Sequence, residues 1–166
     1  MNYSQQLKDV AFGSFYELQL IKTFDKLLGM KLQSYEDTHA IHDFFITDDN
    51  NEVIGIVELK TRRIKKDQYE SIMMGHNKLV EGKKRLIEEP KLKFVVYIWC
   101  LDNKFGSGKA FYYWIQTLDT KDTQYYIDYN GNRGRGDIDK KVVMVYTDNL
   151  KPLKLLKLDL KLNNFI

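Results

Sequence analysis

The sequence predicts an α/β fold in which a mixed central sheet is flanked by helices. Three observations point to it. Residues 4–28 repeat apolar side chains at helical spacing. The runs 41–47, 53–61 and 92–101 are apolar on both faces, as in strands covered on both sides. A basic stretch with helical character, 66–89, lies between the second and third of these runs.

Each element has its own signal. In the first helix, Ser4 is the expected N-cap, and Ala11, Phe15, Leu18, Ile21, Phe24 and Leu28 form the expected buried stripe. Gly29 is a natural stop. Residues 31–36 fit a short strand. Strands 41–47 and 53–61 are joined by Asp48-Asp49-Asn50-Asn51, a polar run with strong turn chemistry. The helix over 66–89, or a pair broken near Gly75 or Gly82, is ended by Pro90. Strands 92–101, 109–116, 125–129 and 142–147 follow, with turns around Gly106-Ser107-Gly108 and in the glycine-rich stretch 131–137. The run 150–162 alternates apolar and basic residues and is left unassigned. The expected order is α-β-β-β-α-β-β-β-β.

Length and composition bound the class. A chain of 166 residues suits a single domain, 1–166, and is long enough to bury a core without staples. We divide it into a core of about 4–101 and a β-rich C-terminal extension of about 102–166. The 43% hydrophobic and 13% aromatic content argues against disorder. A lone Cys100 in an apolar run excludes an intrachain disulfide and a cysteine zinc site, and suits a reducing compartment. No signal segment or membrane-length apolar run is present. The expected location is therefore cytoplasmic, or host cytoplasm for a phage-encoded chain, with no membrane partner.

Net charge is only +3, but it is unevenly spread. Lys60 to Lys93 holds eleven Lys/Arg against five acids, so a local +6 sits beside an acidic remainder. Such a distribution fits a polyanion on one side, or a solvated helix face.

The chemistry is concentrated in the first hairpin. With Asn50 and Asn51 at its tip, Asp49 opposes Glu52 and, further down, Asp43 opposes Glu58. Opposed side chains share a face with Cβ atoms roughly 5 Å apart. Lys60, two residues past Glu58, shares that face. The remainder of the face is expected to be Phe45, Thr47, Ile54 and Ile56. Two carboxylates side by side at the end of an apolar surface repel, and burial deepens the cost. A divalent cation between them removes the conflict, because hard cations take oxygen ligands. A lysine beside a metal-bound water can orient it or stabilise hydroxide and transition-state charge. E-x-K alone is a common surface pair. The apolar context and the hairpin register raise it to a candidate catalytic set.

His42-Asp43, a short hairpin and Glu58-Leu59-Lys60 resemble the D…(D/E)xK signature of the PD-(D/E)xK nuclease superfamily. The resemblance implies a restriction-endonuclease-like core α-β-β-β-α-β and a metal-dependent nuclease that hydrolyses phosphodiester bonds. DNA is the expected substrate, with resolvase, repair, recombination and phage-type enzymes as the nearest analogues. It implies that Asp43, Glu58 and the Leu59 carbonyl ligate Mg²⁺ or Mn²⁺, and that Lys60 positions the water. Glu17, at G-x-x-x-E spacing from Gly13, would hold a second ion or a water. His42 departs from the pattern, standing where the name-giving proline would be. A homodimer is one assembly that the resemblance allows.

Further nucleic-acid contacts are expected from Arg62, Arg63, Lys65 and Lys66 after the catalytic strand, from Gln68 and Lys78 on the following helix, and from Arg133 and Arg135. A solvent-exposed basic surface is the alternative for each. His39 and His42 lack partners at zinc-ligand spacing, so zinc is not expected. Alternation along Phe111-Tyr112-Tyr113-Trp114 favours core packing over base stacking for half of that run. Two other functional classes stay open: a nucleic-acid-binding module that has lost catalysis, and a virion or partner-binding structural protein using residues 102–166.

Overall fold

The computed structural model describes residues 3–37, 40–102, 109–115, 123–130 and 139–165. His39, Arg133 and Arg135 lie outside the described residues, and Ser4 falls inside the first helix, which already includes Tyr3, so it is not the N-cap expected of it.

Helix α1 (Tyr3–Leu28) leads into β1 (Leu32–Ser34), β2 (Phe44–Thr47) and β3 (Val53–Arg62). Then come β4 (Ser71–Gly75), α2 (His76–Glu88), β5 (Phe94–Leu101) and β6 (Lys109–Trp114). The chain continues through β7 (Thr123–Asn130), β8 (Asp139–Tyr146), β9 (Lys151–Pro152) and α3 (Leu156–Leu162). Six strands form one mixed sheet in the order β1-β2-β3-β5-β6-β9. Its centre is the parallel pair β3–β5, aligned from Gly55↔Phe94 to Arg62↔Leu101. The neighbouring pairs are antiparallel.

The sheet has two covered faces. On one, Phe12, Tyr16, Leu20 and Phe24 of α1 pack with Val57, Leu59, Val96 and Ile98, joined by Leu156 and Leu160 of α3. On the other, Leu79 of α2 packs with Ile56, Val95, Tyr97 and Trp99. Ile72 and Met74 of β4 and Val143 and Val145 of β8 belong to that second cluster. They come from a separate three-stranded sheet, β4-β8-β7. Chain from the C-terminal third thus contributes to both clusters. Among the described residues no helix is long and apolar enough to cross a membrane.

Several expectations are corrected. Residues 66–89 are not one helix. Residues 71–75 alternate half-buried and buried, and pair with β8 from Ser71↔Tyr146 to Gly75↔Val142. Ile72 and Met74 follow period two, and α2 begins only after Gly75. Gly82 does not break α2; it is buried where an added Cβ would press on Val95 and Ile115. The buried stripe of α1 runs Phe12, Tyr16, Leu20 and Phe24, while Leu18 is 60% exposed and Ala11 is also exposed. The unassigned tail folds as β9, a 3-10 turn and α3, burying Leu153, Leu156 and Leu160.

The hairpin register is as expected over Phe44↔Val57, Phe45↔Ile56 and Ile46↔Gly55. It then shifts, so that Thr47 pairs with Val53. The extra residue is accommodated as a bulge. It turns Ile54 to the α1 face with Val57, whereas Val53 packs on the α2 face beside Ile56. Ile54 therefore leaves the face assigned to it from alternation. Gly55 is required here: a Cβ would lie 2.2 Å from the Phe94 ring.

Candidate active site

Strand β3 carries Glu58 and Lys60 beside Tyr97 and Trp99 of β5, all on the α2 side of the sheet. The antiparallel ladder between β2 and β3 stops at Phe44↔Val57, so Asp43 lies one step beyond it rather than inside a strand reaching back to Ile41. Its side chain takes over from the ladder. Asp43 Oδ2 accepts the Leu59 backbone N–H at 2.8 Å. That bond pins one carboxylate to the strand that carries the other. The Leu59 side chain points away, into the core under α1.

Glu58 is 1% exposed. Its Oε2 accepts a hydrogen bond from Lys78 Nζ on α2 at 2.9 Å. Burial and the nearby Asp43 charge push the Glu58 carboxyl up to about 7, with Lys78 and Lys60 pulling the other way. Lys60 is half-buried, and burial lowers its ammonium pKa despite the attraction of Glu58. The two shifts have one cause: both charged forms lose water at the same place on the sheet.

His42 is also buried, at 3% exposure. Its Nε2 lies 3.2 Å from the Lys78 carbonyl oxygen. A carbonyl only accepts, so Nε2 carries the proton and donates. Burial lowers the imidazole pKa to about 4, which keeps the ring neutral at physiological pH. His42 thus ties the segment bearing Asp43 to the helix bearing Lys78.

The structure therefore brings Asp43, Glu58, Lys60 and Lys78 together. Glu17 is exposed on α1, with its pKa raised by partial burial and by the Asp43 charge, so it lies within electrostatic reach of that end. Among the described residues there is no cluster of three or more His, Cys, Asp or Glu able to hold a metal, so Glu17 does not complete a three-carboxylate cage.

The basic residues from the end of β3 onward scatter. Arg62 donates to the Thr61 carbonyl at 3.1 Å. Arg63 turns to α1, stacking over Phe12 at 4.7 Å and donating to the Lys8 carbonyl. Lys65 is exposed, and Lys66 lies over the Phe111 ring. Gln68 is in the connection before β4 and not on a helix. It braces a turn, accepting from the Lys65 N–H and donating to the Tyr69 hydroxyl.

Two features escaped sequence reading. Tyr97, 2% exposed and directly beside Glu58 in the parallel register, was read only as part of a strand. The Lys78–Glu58 pair depends on where α2 starts, and the alternation over 71–75 was the signal for that.

No protein-family model matches the chain, and no curated protein matches it. Among solved structures, it is similar to a nuclease from a fusselovirus. The two are 14% identical, with 99% of this chain and 95% of that chain covered and a TM-score of 0.55. At that identity the likeness is one of fold.

Proposed function

We propose that this protein is a metal-dependent nuclease that hydrolyses phosphodiester bonds, with DNA as its substrate. One observation carries the reading. The Asp43–Leu59 hydrogen bond sets Asp43 beside buried Glu58, with Lys60 on the same face. A buried acid and a half-buried lysine that both lose water beside a second acid are the pattern of a functional site. Similarity of fold to a fusselovirus nuclease supports the same class.

The donor set suits Mg²⁺ or Mn²⁺. Magnesium keeps several waters and is held by one or two carboxylates plus substrate phosphate oxygens, so a third carboxylate is not needed. Asp43 and Glu58 supply hard oxygens, and the Leu59 carbonyl is a third candidate. When bound, the ion would supply Lewis-acid activation of water and of the phosphoryl group. The chain supplies the rest. Lys60 holds the attacking water and neutralises charge that develops on the phosphate. Glu17, from the other side, orients a water or supports a second ion. Arg62 and Lys65 meet the phosphate backbone beside the cut.

The test is cleavage of linear duplex, single strand, supercoiled plasmid, four-way junction and RNA, in Mg²⁺, Mn²⁺ or EDTA. Metal-dependent cutting, lost in a Glu58→Ala/Lys60→Ala variant, is expected and would identify the substrate class. Binding without cutting by the folded protein would favour an inactive binding module. Neither binding nor cutting would favour a structural role.

A further inference from the structure

Lys78 touches both halves of the candidate site, and in different ways. Its backbone carbonyl receives the His42 Nε2–H, next to Asp43. Its ammonium sits on Glu58 Oε2 at 2.9 Å. The glutamate side chain is 2% exposed and the lysine side chain 20%. A nearly dry carboxylate needs a positive partner to stay ionised, and Lys78 supplies it without any ion.

That arrangement conflicts with a divalent cation on Glu58. An ammonium and a doubly charged ion against the same carboxylate repel strongly in a site shielded from water. The ammonium is the mobile partner. It stands on a flexible four-carbon stem, and its exposed fraction opens toward solvent. Its main chain stays fixed through His42.

Building on the reading of Glu58 as a metal ligand, we propose that Lys78 is a resident counter-ion that a divalent cation displaces. In the metal-free protein the lysine offsets part of the cost of burying the Glu58 charge. Metal loading moves the ammonium off Glu58 to the mouth of the site, where it meets phosphate oxygens of the substrate. Cation loading and substrate capture are thereby coupled through one side chain. The ion prepares the water, and the same event frees a positive charge for the polyanion.

The displacement can be seen directly in the full-length protein labelled with ¹⁵N-lysine. The ammonium signal of Lys78, assigned by its loss in Lys78→Arg, is followed while Mg²⁺ is added, and Mg²⁺ binding is measured in parallel by calorimetry. The expected result has three parts. Mg²⁺ binds the wild type and at least tenfold more weakly to Glu58→Gln. Saturating Mg²⁺ moves the wild-type Lys78 signal to the position of exposed lysines such as Lys84. In Glu58→Gln that signal starts there and does not respond to Mg²⁺. If Mg²⁺ binding requires Glu58 but the Lys78 signal stays in place, the counter-ion proposal is wrong and the metal site stands. Mg²⁺ binding equally to both proteins, or to neither, would remove the metal-ligand reading and the proposal with it.

Discussion

Glu58 is a buried carboxylate held at a cost. Its carboxyl is raised from 4.5 to about 7, with burial as the main cause. The sign of the linkage follows from that direction. Below the unfolded value both states hold the proton and Glu58 costs nothing. As pH rises toward the folded value the unfolded chain releases its proton first, and stability is lost. The loss is complete above about pH 7 and amounts to roughly 3 kcal/mol for a shift of this size. Glu58→Gln is therefore expected to stabilise the metal-free protein by about 2 kcal/mol at pH 8 and by much less at pH 4. Urea unfolding in EDTA at the two pH values measures this; equal effects at both would contradict the burial argument. Lys60 plays a different part. Replacing it with Met is expected to cut the cleavage rate at least hundredfold, on the order of a lost transition-state contact, while Mg²⁺ affinity is kept. Single-turnover cleavage beside calorimetry separates the two effects. At this scale the sequence was informative where local geometry decides. Periodicity brings Asp43 and Glu58 to the same end of the hairpin, but the expected pairing of Asp49 with Glu52 does not form: the Asp48 N–H bonds the Glu52 carbonyl instead, and the bulge beyond it restores the register. The Lys78–Glu58 pair joins residues 20 apart in the chain, and no local pattern announces it.

Among the elements, the misread segment was β4. Residues 66–89 are rich in lysine and good helix formers, and the propensity of α2 spreads backward in any local reading. Tertiary pairing with β8 overrides it, because Ile72 and Met74 bury against Val143 and Val145. A partner strand about 70 residues away is invisible to a window of about 18. The bulge at Ile46/Thr47 is similar: alternation assumes a perfect ladder, and one inserted residue sends Ile54 to the opposite face. Gly55, next to that bulge, allows the Phe94 ring to close over β3. Gly55→Ala must displace that ring within a full core, with an expected loss of about 2–3 kcal/mol. Thermal unfolding of the variant checks this, and a change under 0.5 kcal/mol would show that the strand can shift freely.

Across the whole molecule, the two covered faces have different duties. The α1 face is built from apolar packing by α1 and α3. The α2 face holds the second cluster and, at its edge, the acids and lysines of the site. The basic stretch noticed in the sequence is not one patch. Arg63 serves α1, Lys66 sits on Phe111, Lys78 serves Glu58 and Arg85 binds Tyr35 and Glu89. The count of eleven cations therefore overstates what a nucleic acid meets. Arg62 and Lys65 remain closest to the site in sequence, and Arg62→Ala/Lys65→Ala is expected to reduce the salt slope of DNA binding by about 2. Fluorescence anisotropy from low to moderate salt gives that slope, and an unchanged value would place the contact surface elsewhere.

The central claim is that Asp43, Glu58 and Lys60 form a metal-dependent hydrolytic centre. Its most direct test is cleavage of duplex DNA by the wild type, Glu58→Gln and Lys60→Met, each in Mg²⁺ and in EDTA. Cutting by the wild type in Mg²⁺ alone is expected, with a loss of about hundredfold or more in both variants. Cutting that persists in EDTA, or variants that cut as fast as the wild type, would contradict it.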